Sequence, residues 1–141
     1  VIHKLAVYTP TPSDSPFARL GGDAGVRAIV EHFYDAMDEL EPTLAGLHPC
    51  DPSGRVARPS RDRFALFFIG WLGGPQDYVA QHGHPRLRMR HAHVPVDSVM
   101  AGAWMRCMRA AFDRAGVDAE VRAFLDAKLG DLAQFLRNQA G

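Results

Sequence analysis

Between Asp97 and Gly116 the chain carries a repeat that suits one kind of secondary structure. Met100, Trp104 and Met108 recur at steps of four, and Ala103, Cys107 and Ala111 make a second row beside them. Two such rows are ridges of a helix that has to be buried against other helices. Asp97 can cap its start and Gly116 can close its end. The same reading extends outwards. Asp118 can cap a last helix with Val121, Leu125, Leu129, Leu132 and Leu136 on one side, widened by Phe124 and Phe135. Upstream, Val26, Val30, Phe33 and Met37 predict a helix over about 23–40, with Asp23 able to cap it after Gly21-Gly22. Pro42 can open a short turn over 42–47. Ser60 can cap a helix bearing Phe64, Phe67, Phe68 and Trp71 that WLGGP stops near Leu72. Alternating strand patterns are absent, so the class is all-α: about four main helices and an irregular third quarter, 76–95, with a short helix around 86–91.

The rest of the chain is punctuation. TPTPSDSP cannot hold a helix, so residues 1–16 read as an irregular arm in which Val1 to Tyr8 forms a short strand or lies across the surface. PCDPSGRVARP, residues 49–59, is loop. At 141 residues the chain suits one domain. Lys plus Arg and Asp plus Glu are equal at 16 each, so no global basic field exists to hold nucleic acid. No run of 18 apolar residues is present, so no membrane span is expected, and the first residues lack a signal-peptide pattern. Cys50 and Cys107 stand outside any CxxC, which points to thiols in a reducing cytoplasm rather than a zinc knuckle or a dithiol.

Against that neutral balance, residues 82–93, HGHPRLRMRHAH, concentrate four histidines and three arginines. The stretch suits an anionic, metal-bearing or phosphate-bearing ligand, or else a solvated basic turn. For zinc the pattern is poor: His82 and His84 flank glycine beside a proline, His91 and His93 are two apart, and no HExxH occurs.

At this point the sequence resembles a known family, the truncated haemoglobins of group II. The residues that carry the likeness are Gly21-Gly22, Phe33-Tyr34, GWLGGP at 70–75 with Tyr78, GHPRLRMRHA at 83–92 and AWMRCM at 103–108. It covers roughly residues 17–137, leaving 1–16 as an arm outside the common core and 17–141 as the globin domain. The resemblance implies a 2-on-2 α-helical sandwich around haem b. Haem is an apolar plate with two carboxylates, and without CxxCH it is held non-covalently.

Site residues follow from the same resemblance. His91 is implied as the proximal iron ligand, its second ring nitrogen held by a carbonyl one turn back, near Leu87. Tyr34, His48 and Trp104 are implied as distal residues that donate hydrogen bonds to a ligand on which charge builds. Ser60, Phe64, Phe67 and Phe68 are implied around the distal pocket. Arg63, Tyr78, Arg86 and Arg88 are implied at the propionates, with Leu87 and Met89 as apolar wall. Two departures stand out. His93 takes a place where the family commonly has proline, and the stretch between His48 and Ser60 is several residues longer than usual.

The function so implied is reversible binding of dioxygen, carbon monoxide or nitric oxide, in a redox or sensing role rather than bulk transport. A peroxidase-like or nitric-oxide-oxidising enzyme is the alternative, drawing electrons from a separate reductase. A haem-independent basic interaction module built on 82–93 is a third reading. The sequence leaves monomer and homodimer open.

Overall fold

The computed structural model describes residues 7–140. Its helices are α1 (Pro16–Arg19), α2 (Gly22–Leu40), α3 (Pro42–Ala45), α4 (Arg58–Trp71), α5 (Asp77–His82), α6 (Leu87–Arg90), α7 (Ser98–Ala115) and α8 (Ala119–Phe135). The four long ones form two pairs, α2 on α4 and α7 on α8, joined where α2 packs along α7. This is an all-α, two-over-two arrangement. None of the described helices is long and apolar enough to cross a membrane.

The two ridges of α7 explain its place. Ala103, Cys107 and Ala111 are all but fully buried, as is Met108, whereas Met100 and Trp104 are only partly covered. The helix therefore runs from the core to a cavity wall along one row. Burial pushes the Cys107 thiol up to about 11, so it stays protonated. Both cysteines are free thiols, Cys50 at the surface. Asp97 accepts from Met100 N–H at 2.9 Å, and Gly116 closes α7 at φ 65°.

Several sequence expectations shift. Asp23 does not cap α2; Gly21 does, in a left-handed conformation at φ 98°, and Asp23 pairs with Arg27 at 2.8 Å. Ser60 does not cap α4, which starts earlier, at Arg58. Proline is tolerated in a first helical turn because its missing N–H would have no partner there, so Pro59 belongs to the helix rather than the loop. The helix α5 was not anticipated, since it is only 6 residues long between GGP and a glycine. Of the expected strand at 1–8, residues 1–6 lie outside the described residues. Tyr8 is buried: its hydroxyl donates to Asp14 O at 2.7 Å and its ring meets Phe124 at 5.4 Å.

One close approach sets the start of α2. A Cβ on Gly25 would lie 1.9 Å from the Leu20 carbonyl oxygen. Alanine normally stabilises a helix interior relative to glycine by about 1 kcal/mol. Here Gly25→Ala should instead destabilise, by about 1–3 kcal/mol, because backbone has to move. A lower urea midpoint is the expected result, and a raised one would mean that the turn before α2 yields freely.

A buried arginine ties the long loop to this frame. Arg61 on α4 is 4% exposed. Its Nε donates to Val56 O at 2.8 Å, Nη1 to Asp35 at 2.9 Å and Glu31 at 3.1 Å, and Nη2 to Asp38 at 2.6 Å. Glu31, Asp35 and Asp38 share one face of α2 by helical spacing. Asp38 also accepts from Val56 N–H at 3.1 Å. The loop closes on itself, with Asp51 N–H donating to Arg55 O at 2.7 Å and Ala57 N–H to Pro49 O at 2.9 Å. One guanidinium thus fastens α2, α4 and residues 49–57 together.

Candidate functional site

Between α4, α6 and the ends of α7 and α8 lies a cleft with two lobes, of about 640 and 190 Å³. Three residues border both lobes: His48, Arg90 and His91. The larger lobe has an aromatic wall of Tyr34, Phe64, Phe67 and Tyr78, with Ser60, Arg63, Leu87 and Met89 completing it. Trp104 and Met100 line the smaller lobe with aliphatic side chains such as Leu47, Val96 and Leu132. Met89 is 60% exposed although it borders this cleft. Such an open apolar lining is suited to a ligand.

His91 caps the end of α6. Its Nδ1 lies 2.7 Å from Leu87 O, one turn back. A carbonyl oxygen only accepts, so Nδ1 carries a proton, and in the neutral ring Nε2 is the nitrogen with the lone pair. The turn behind it is stitched to the C-terminal segment. Asn138 Nδ2 donates to His91 O at 3.1 Å and to Val94 O at 2.9 Å, while its Oδ1 accepts from Val96 N–H at 2.9 Å. Sequence reasoning missed Asn138. It sits just beyond the last periodic residue of α8, and only its partners reveal it. This clamp ties the turn after His91 to the C-terminal segment.

Tyr34 and His48 come together at a ring separation of 5.8 Å, near-perpendicular. Tyr34 is 4% exposed, and burial raises its phenol above the ordinary value of 10.0, so it stays a hydroxyl. Arg61 stands over its ring at 5.5 Å. Phe64 links the groups, 5.9 Å from Tyr34 and 6.4 Å from Trp104. Trp104 is further fixed by Phe33 at 5.4 Å, yet it faces the smaller lobe. Among the described residues, the Tyr34 hydroxyl and the Trp104 indole N–H make no protein hydrogen bond, so both remain available to a ligand.

Three expected residues are placed elsewhere. Phe68 is 1% exposed and lies behind Phe64, stacked at 5.4 Å, so it supports the wall without bordering the cleft. Arg88 is turned towards α8: its Nε donates to Phe135 O at 2.9 Å and its guanidinium covers the Phe135 ring. Arg86 opens α6 in a left-handed conformation at φ 48° and is exposed away from the lining. Arg90, which the sequence analysis passed over, is the arginine of this segment that borders the cleft, with Arg63 across from it. Helical rotation decides this, since the one turn of α6 directs 86, 88 and 90 differently.

The donor set limits the chemistry. Among the described residues no group of three or more His, Cys, Asp or Glu could hold a metal ion. His84 instead accepts from Arg86 N–H at 3.1 Å, and the His82 ring lies against Tyr78 at 5.0 Å. His91 and His48 both border the cleft with Nδ1 turned to a carbonyl, and a metal held by so few protein ligands has to bring its other ligands with it. An aromatic slot with imidazole on its walls and arginines at its rim fits a flat metal macrocycle bearing carboxylates, which is the description of haem.

Comparison with known proteins agrees with this geometry. Residues 15–138 match the family model described as bacterial-like globin. The chain is 33% identical over 126 residues to the group 2 truncated hemoglobin YjbI of Bacillus subtilis (strain 168), covering 89% of this chain and 90% of that one. It superposes on the cold-adapted truncated hemoglobin of Pseudoalteromonas haloplanktis TAC125 with a TM-score of 0.81 at 38% identity, over 89% of this chain and 98% of the other. The group II 2-on-2 hemoglobin of Agrobacterium tumefaciens gives a TM-score of 0.80 at 35% identity, over 93% and 99%. These matches span the segments that build both walls of the cleft, and the chain belongs to the group II truncated haemoglobins of the bacterial-like globin family.

Proposed function

We propose that the cleft holds haem b non-covalently, with His91 as its axial ligand, and that the protein binds dioxygen, carbon monoxide and nitric oxide reversibly. The observation that carries this is His91 Nδ1 at 2.7 Å from Leu87 O, which makes Nε2 the ring nitrogen open to a metal, in a residue that borders both lobes. Ferrous haem supplies the binding of the diatomic ligand. The chain supplies the rest. His91 gives a strong, oriented base; Leu87 O sets its tautomer and raises its basicity. Phe64, Phe67 and Leu87 keep water from the slot. Tyr34 and Trp104 hold donors ready for a ligand that gains negative charge, and such groups cost no reorganisation when the charge forms. Reconstitution with hemin tests the reading. The expected result is a Soret band, then shifted ferrous spectra under each of the three gases. Purified chain that gives no Soret band with added hemin would overturn it.

The rim arginines extend the proposal. Arg63 and Arg90 border the cleft and would meet the carboxylates of the macrocycle, whereas Arg88 is engaged with Phe135 and Arg86 stands outside the lining. Exposed pairs contribute about 0.5 kcal/mol each. Replacing Arg63 and Arg90 together by Ala should therefore speed haem transfer to an acceptor protein about fivefold, a 1 kcal/mol effect. Oxygen release should stay near the parent value. The Arg86→Ala, Arg88→Ala pair should transfer haem at the parent rate; the opposite ranking would return those two to the rim.

A further inference from the structure

Residues 78–96 contain no Asp or Glu, yet they hold Arg86, Arg88, Arg90 and four histidines. On the long helices arginines are neutralised: Arg27, Arg58, Arg61, Arg109 and Arg122 each face a carboxylate. Arg86, Arg88 and Arg90, with Arg63 across the cleft, form no ion pair among the described residues, and all four are exposed. The nearest acidic residues along the chain are Asp77, at the start of α5, and Asp97, whose carboxylate caps α7. A chain with no net charge therefore carries a cationic collar at the mouth of its cleft. Carboxylates of the macrocycle account for Arg63 and Arg90, and Arg86 and Arg88 are left over. Both are held in place. Arg86 is left-handed at φ 48°, uncommon for a residue with a Cβ, and its N–H donates to His84 Nδ1 at 3.1 Å. Arg88 lies over the Phe135 ring at 4.2 Å with its Nε on Phe135 O. Met89, 60% exposed, stands among them at the cleft edge, beside exposed His93.

We propose that this collar is the docking surface for an acidic one-electron carrier protein that reduces the haem. This rests on the haem reading above. A dioxygen binder has to be kept ferrous, and the chain's two separated thiols make no dithiol that could supply electrons. One electron leaves the carrier and converts ferric iron to ferrous; no bond breaks and no proton moves. Fixed cations around one exposed apolar side chain suit a small, transient protein contact, in which charge steers the approach and the apolar centre excludes water. A membrane or a nucleic acid calls for charge spread along a face, and here it is gathered at the cleft.

The probe is a reduced, acidic [2Fe–2S] ferredoxin. Arg86→Gln with Arg88→Gln should slow its reduction of the haem-loaded ferric protein about tenfold at low salt, and the difference should vanish by about 0.5 M salt. Arg109→Gln with Arg114→Gln, the same loss of charge on the far half of α7, should leave the rate within about twofold. Reduced methyl viologen, a cation, should reduce the Arg86, Arg88 variant at least as fast as the parent. Binding is read independently by NMR of the carbon monoxide complex titrated with oxidised ferredoxin, where amides of residues 84–93 should shift. A rate independent of salt, equal slowing by the two pairs, or no shifts at 84–93 would overturn the proposal. So would binding to anionic phospholipid vesicles or duplex DNA that the Arg86, Arg88 variant loses while its reduction by ferredoxin stays unchanged. Failure of the haem reading itself would appear separately, as no Soret band.

Discussion

His91→Gly should retain haem poorly, with its loss accelerated at least about 100-fold, since changes merely to the groups behind a metal ligand cost 10- to 100-fold. Added imidazole should slow that loss and restore a parent-like ferrous spectrum, because the glycine leaves room where the ring stood. The cause lies in the cleft's economy of ligands. His48 and His93 also border it, but His48 is on the facing wall and His93 is exposed two residues further on. Haem off-rates with and without imidazole decide the matter. A parent-like off-rate in the variant would move the ligand role away from His91. Asn138→Ala should act in the same direction but more weakly, since it loosens the turn without removing the base.

Arg61→Met should destabilise the protein by about 3 kcal/mol, the lower end of what removing one partner of a buried ion pair costs. Methionine fills much of the volume and leaves Asp38, 11% exposed at its side chain, without its closest cation. Glu31 and Asp35 are better solvated, at 38% and 31%, which keeps the cost from the upper end. The neighbouring Arg58 also pairs with Glu31 but is 60% exposed, so Arg58→Ala should cost under about 1 kcal/mol. Urea midpoints of the two variants are the measurement, and equal losses would show that burial at Arg61 adds nothing. The Glu31 pair also has a pH signature. The Arg58 guanidinium holds the Glu31 carboxyl below its ordinary 4.5, so its stabilisation is present above that pH. It is lost as pH falls from there through the depressed value.

Much of this architecture is legible in the residues. Asp97, Asp118 and Gly116 mark helix ends because capping is local chemistry, and the α7 ridges announce burial by spacing alone. The motif around His91 marks the residue proposed to bind the metal, and the contact of its Nδ1 with Leu87 O follows from one helical turn. What was not legible depends on rotation and on distant partners. Three alternate arginines, 86, 88 and 90, look equivalent in sequence; a left-handed residue at 86 and Phe135 at the end of α8, which holds Arg88, decide which one meets the cleft. Phe68 could not be told from Phe67 without knowing which lies behind Phe64. Arg61 looked like any charge in a polar helix turn, and its three carboxylates lie 23 to 30 residues away. The contact of His48 Nδ1 with Leu44 O at 3.0 Å depends on a side-chain rotamer, which no residue pattern records.

The fastened loop also changes how length variation reads in relatives of this chain. Its two roots are held to α2 and α4, with Cys50 bridged to Val56, whereas Pro52 to Gly54 at its tip are exposed and Gly54 has open space around its Cβ position. Residues added or deleted at that tip change the contour length between His48 and Ser60 but not the spatial separation of those two residues. Gaps here in a comparison of sequences therefore carry no information about pocket width. The Arg61–Asp38 pairing is the feature to compare instead, because it holds the Val56 end of the loop to α2 and α4.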